Sequence, residues 1–137
     1  MPSEKGRCVI LADSHQNALE GIRGLLETMF ETVMMVADKK SLFEAIDKVR
    51  PDLAVVDLSL KVSGEVSIAR EIKNRYPELK FIVLSLHGEL AAVEDVLSAG
   101  ASGFVLKRCV GMDLFPAVDS VQQGRTFVSP SVQDEPG

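Results

Sequence analysis

A chain of 137 residues, 46% of them hydrophobic, has enough apolar material for one core and too little length for a second folded domain. Its 20 acidic residues outnumber 15 Lys and Arg, giving a net charge of −5, and no Lys/Arg-rich segment or aromatic platform offsets that balance; composition argues against direct nucleic-acid binding. Cys8 and Cys109 lie in or beside apolar runs without metal-ligand spacing, no apolar run reaches the length of a membrane span, and the first residues carry no apolar signal core, so a cytoplasmic protein with reduced thiols is expected.

Arg7 to Leu11 is a short apolar run that reads as a buried strand, closed by the acidic turn Ala12-Asp13-Ser14-His15. Ala18, Ile22, Leu25, Leu26 and Met29 then recur at helical spacing, with Glu20, Arg23 and Glu27 mostly on the other side. The first helix is therefore amphipathic, capped by Ser14 or Asp13. Thr32 to Ala37 is a second strand. The second helix is expected to open at Ser41-Leu42-Phe43-Glu44, a capping-box pattern, and to stop before Pro51.

The stretch Asp52 to Leu58 follows. It is apolar and partly β-branched, as expected of a strand buried on both faces in a parallel sheet, and it stops at a carboxylate, Asp57. After the loop Leu58 to Gly64, Ile68, Ala69 and Ile72 mark a third helix ended by Tyr76-Pro77. Lys80 to Leu84 is a fourth strand with Ser85 at its carboxyl end. Leu90, Val93, Val96 and Leu97 lie on a fourth helix, which Ala99-Gly100 closes with a left-handed glycine. Ser102 to Leu106 is a fifth strand with Lys107 at its end. Leu114, Ala117, Val118 and Val121 form the stripe of a fifth helix finishing at Gly124. Pro116 disrupts a helix interior, so the first turn is placed near Asp113. Thr126 to Pro130 is expected to pack back on the domain, which spans 1–130, and 131–137 to form a loose tail or the start of a linker.

Five strands in strict alternation with five helices predict parallel strands, right-handed crossovers and a three-layer α/β/α sandwich. Parallel strands point the same way, so Asp13 with Ser14, Asp57, Ser85 and Lys107 meet on one rim, where such sheets bind their ligands. Two carboxylates about 4 Å apart repel by about 4 kcal/mol at an effective dielectric of about 20, so Asp13 and Asp57 need a cation between them. Oxygen-only donors beside a phosphate suit Mg²⁺.

The set Ile-Leu-Ala-Asp-Ser-His, Pro-Asp-Leu-Ala-Val-Val-Asp-Leu-Ser-Leu, Phe-Ile-Val-Leu-Ser and Ala-Ser-Gly-Phe-Val-Leu-Lys resembles the receiver domain of bacterial two-component response regulators. Gly-Arg-Thr-Phe-Val-Ser-Pro after the last helix is most similar to the NarL/FixJ (LuxR-type) group. The resemblance covers Arg7 to Pro130. It implies a flavodoxin-like (CheY-like) fold with a five-stranded parallel sheet in the order 2-1-3-4-5. By the same resemblance, Asp57 is the phosphoacceptor, Lys107 pairs with the phosphoryl group, and Ser85 is the switch hydroxyl with Phe104 as switch aromatic. Mg²⁺ is held by Asp13, Asp57 and the backbone carbonyl of Ser59, with Ser14 contributing weakly or through water. The implied partner is a sensor histidine kinase or phosphotransfer protein, with a homodimer as a further expectation. The implied output is a changed face of helix four, strand five and helix five, in the N-terminal part of a transcription regulator. The activity is that of a signalling domain, not an enzyme acting on a separate substrate.

Ser14 departs from the pattern, since these domains usually carry a second acidic residue there. A second reading is therefore a pseudo-receiver, a phosphorylation-independent interaction module. A haloacid-dehalogenase-type phosphatase is disfavoured because Ser59 occupies the place of its second aspartate. A flavin carrier is disfavoured because the loop after the first strand lacks a Ser/Thr/Gly-rich phosphate cradle.

Overall fold

The computed structural model describes residues 6–13, 16–57, 65–86 and 90–130. The central strand, β3 (Leu53–Asp57), is buried at every residue. Its side chains alternate between two cores: Leu53 and Val55 pack on one face of the sheet, Ala54 and Val56 on the other. This is the period-two pattern of a strand covered on both sides. β1 (Gly6–Ala12) divides in the same way, with Val9 and Leu11 on the first face and Ile10 and Ala12 on the second. β4 (Lys80–Ser85) also follows it, with Ile82 and Leu84 against Phe81 and Val83.

The first face is closed by α1 (Gln16–Glu27), through Ile22 and Leu26, and by α5 (Val110–Gln122), through Leu114, Ala117, Val118 and Val121. The second face is closed by three helices: α2 (Lys39–Val49), α3 (Glu65–Arg75) and α4 (Leu90–Ser98). With β2 (Phe30–Val36), β5 (Gly103–Leu106) and β6 (Phe127–Val128), the sheet is wholly parallel in the order β2-β1-β3-β4-β5-β6. The expected three-layer sandwich and its strand order are present. None of the described helices is long and apolar enough to cross a membrane.

The sheet has six strands where five were expected. The run that was expected only to pack back on the domain pairs with β5, Gly103 opposite Phe127 and Phe104 opposite Val128. Its backbone donates from Phe127 to Ser102 at 3.2 Å and from Ser129 to Phe104 at 2.9 Å. Without it, β5 would present an unpaired edge, which folded proteins commonly cover.

Two helix starts also differ from expectation. α2 begins at Lys39, and its cap is Asp38, whose extended backbone (φ −150°, ψ 172°) lets the carboxylate accept the Ser41 amide at 2.7 Å. Asp caps as well as Ser, and its negative charge gains from the positive end of the helix dipole. α5 begins at Val110, directly after a single tight turn at Lys107–Cys109, and carries Pro116 in its interior. The ring removes one backbone donor, but Pro116 and Met112, whose carbonyl loses that donor, both lie on the exposed side, where water can serve the carbonyl. α4 ends as expected at a positive-φ glycine, Gly100 (φ +123°).

Candidate functional site

All strands being parallel, their carboxyl ends form one rim. Asp57 is the last residue of β3 and Ser85 the last of β4, while Asp13 and Lys107 directly follow β1 and β5. Asp13 is held by its own backbone, whose amide donates to Val36 at 3.0 Å and so extends the β1–β2 pairing by one step. Ser85 lies opposite Leu106 in the β4–β5 register, and Leu84 lies opposite Asp57. Register therefore brings the ends of β3, β4 and β5 side by side.

The side chains converge as the backbone suggests. The Lys107 ammonium donates to Asp13 Oδ2 at 3.3 Å and is in direct contact with Asp57 Oδ2. Asp13, Asp57 and Ser85 are all buried, with Asp57 2% exposed. Burial pulls the Lys107 pKa down as the largest single influence, but contact with Asp57 and the charges of Asp57 and Asp13 together outweigh it. The net result lies above the usual lysine value, so Lys107 is a cation here. One ammonium thus holds two carboxylates that would otherwise repel.

The donor set fits a hard cation. Mg²⁺ is commonly held by one or two carboxylates, with waters and a phosphate completing its shell, and Asp13 and Asp57 are two oxygen donors on one rim. Among the described residues, no group of three His, Cys, Asp or Glu could hold a metal ion. Ser14 and Ser59, the other expected contributors, lie outside the described residues, as do the loop 58–64 and the tail 131–137.

Phe104 is fully buried, in the core shared with Val83, Val96 and Leu106. Two polar residues close to the rim escaped sequence reasoning: Ser129, with no exposed surface, and Asp113, 9% exposed. The Ser129 hydroxyl donates to Asp113 Oδ2 at 2.7 Å and accepts the Leu106 amide at 3.1 Å. A signal was available, since Asp113 stands one turn before Ala117 and therefore on the stripe that α5 buries.

The structure is thus a parallel α/β sandwich that gathers two carboxylates, a hydroxyl and an ammonium on one strand-end rim. The chain belongs to the response regulator receiver domain family, whose model matches residues 9–119. It is 34% identical over 126 residues to the transcriptional regulatory protein DegU of Brevibacillus brevis, an alignment covering 90% of this chain and 53% of that protein. It superposes on a LuxR-family two-component response regulator from Aurantimonas sp. SI85-9A1 with a TM-score of 0.86 at 28% identity, covering 96% of this chain and 94% of that one. The isolated receiver domain of RcsB from Salmonella enterica serovar Typhimurium, solved in the presence of the phosphomimetic BeF₃⁻, superposes with a TM-score of 0.83 at 29% identity over 95% and 97% of the two chains. The chain spans 53% to 60% of the length of the curated relatives it matches. The resemblance to NarL/FixJ and LuxR-type response regulators of two-component systems is borne out.

Proposed function

We propose that this domain accepts a phosphoryl group on Asp57 from the phosphohistidine of a sensor kinase or phosphotransfer protein. The observation that carries the reading is the Lys107 ammonium in contact with Asp57 while also bonded to Asp13. A carboxylate is a weak nucleophile, and phosphoryl transfer is catalysed chiefly by positioning and by neutralising charge on the transferring oxygens. An Asp57 oxygen forms the new bond to phosphorus as the bond from phosphorus to the donor imidazole breaks, the electron pair leaving on nitrogen. Lys107 moves its ammonium from carboxylate to phosphoryl oxygen, and the Ser85 hydroxyl, buried at the neighbouring strand end, donates to another. Asp13, Asp57 and the Ser59 carbonyl are the groups that would hold Mg²⁺, with Ser14 weakly or through water; when bound, the ion supplies further neutralisation of the transferring charge.

The rearranged rim is read through the α4-β5-α5 face by a partner, a second copy included, and the whole protein works in the cytoplasm as a transcription regulator whose DNA-binding part is separate from this domain. The RcsB receiver solved with a phosphomimetic supports the chemistry by kinship. Incubation with acetyl phosphate and Mg²⁺ is expected to label the protein, with the label absent in Asp57→Asn. Equal labelling of that variant would end the proposal.

Ser14, standing where these domains usually carry a second acidic residue, favours one competing reading, an interaction module that does not bind the ion. Backbone NMR during Mg²⁺ addition over the millimolar range distinguishes them: shifts around Asp57 support the phosphoacceptor, and their absence supports the module.

A further inference from the structure

β6 contributes only two residues to the sheet, yet its pairing with β5 does not stop there. After the Ser129 backbone amide bonds to Phe104, the Ser129 side chain turns inward and its hydroxyl accepts the amide of Leu106, the last residue of β5. That hydroxyl also donates to the Asp113 carboxylate in the first turn of α5. Between Leu106 and Asp113 lie the turn Lys107–Cys109 and the start of α5. The two ends of this corner are therefore tied through one oxygen atom that has no contact with solvent. Lys107 leaves the sheet from inside the tied corner, and its ammonium must reach two carboxylates, one just past β1 and one at the end of β3.

We infer that Ser129, with Asp113, is a positioning residue for Lys107: the hydroxyl fixes where β5 ends and how the chain turns into α5, and so holds the lysine at Asp57. Neither residue reaches the reacting atoms in this reading, and their effect passes through the backbone of Leu106. Removing the hydroxyl leaves a buried amide and a buried carboxylate short of a partner, which the corner relieves by shifting outward. A displacement of about 1 Å at a reacting group can cost as much as about a hundredfold in rate. The consequence for transfer rests on the phosphoacceptor reading; the placement of Lys107 does not.

The test uses the full chain and two readouts. With acetyl phosphate at saturating Mg²⁺, Ser129→Ala is expected to be labelled about tenfold more slowly than wild type. The Mg²⁺ concentration giving half-maximal labelling should be unchanged, and Ser129→Thr, which restores the hydroxyl, should recover the rate. Asp113→Ala, which removes the hydroxyl's acceptor, should show the same slowing and serves if Ser129→Ala does not fold. The second readout needs no phosphodonor: the Lys107 side-chain ammonium signal in ¹⁵N NMR should shift in Ser129→Ala and stay in place in Ser129→Thr. A wild-type labelling rate in Ser129→Ala or Asp113→Ala, or a Lys107 signal that ignores the loss of the hydroxyl, overturns the inference. If no form of the protein is labelled but the Lys107 signal responds as expected, the positioning role holds and the phosphoacceptor reading falls instead.

Discussion

The Lys107 ammonium lies against the Asp57 carboxylate in a rim that leaves the lysine side chain 12% exposed and the aspartate 2%. A pair this deep is stabilising only while both members are present, since removing one strands a buried charge. Lys107→Met keeps the aliphatic stem but takes the shared cation from both Asp57 and Asp13. It is expected to lower stability in metal-free buffer by about 3–5 kcal/mol, measured by urea denaturation. Asp57→Asn should cost less, because Lys107 keeps Asp13.

The Asp38 cap makes part of the stability depend on acid. The bond from the Ser41 amide lowers the Asp38 pKa below its usual value of 3.8. A depressed carboxylate contributes stability that is complete above its unfolded pKa and disappears as pH falls through the lower folded value. Asp38→Ala should therefore melt at a lower temperature than wild type near neutral pH. The gap between the two melting curves should narrow once the pH drops below 3.8.

Pro116 sits inside α5, where it deprives the Met112 carbonyl of its helical donor. Met112 is 82% exposed and Pro116 is also on the outer side, so nothing in the core depends on the ring. Pro116→Ala is expected to raise stability by about 1–3 kcal/mol in chemical denaturation, the interior-helix penalty less what water already recovers.

Gly100 holds φ +123°, and a β-carbon there would come within 2.6 Å of Lys73 Cγ. Gly100→Ala meets both a backbone penalty and a clash with the stem of Lys73. A loss of about 1–2 kcal/mol is expected in the same denaturation experiment.

Much of this was legible in the sequence because burial on two faces leaves continuous apolar runs. Leu53 to Val56 could hardly be anything but a covered strand, and strict alternation with helical stripes then determined the parallel order. The rim followed from that order, since Asp13, Asp57, Ser85 and Lys107 each stand at or just past a strand end. What escaped notice depended on choices between near-equal local options. Asp38 and Ser41 both make good caps, and only the backbone shows which one is used. Pro116 reads as a breaker in the sequence, although a solvent-facing proline in a helix whose other side is well packed is tolerable. Phe127 and Val128 are too few to read as a strand, and their pairing is stabilised by the Ser129 hydroxyl, a contact with Asp113 and Leu106 that spans residues distant in the chain.

The most direct test is to locate the phosphoryl group chemically. An acyl phosphate on aspartate is reduced by borohydride to homoserine, a change that peptide mass spectrometry assigns to one residue. After treatment with acetyl phosphate and Mg²⁺, homoserine is expected at position 57 and nowhere else, and Lys107→Met should sharply reduce its yield. Homoserine at position 13, or none at all while Mg²⁺ shifts the NMR signals around Asp57, would contradict the assignment of Asp57 as the phosphoacceptor.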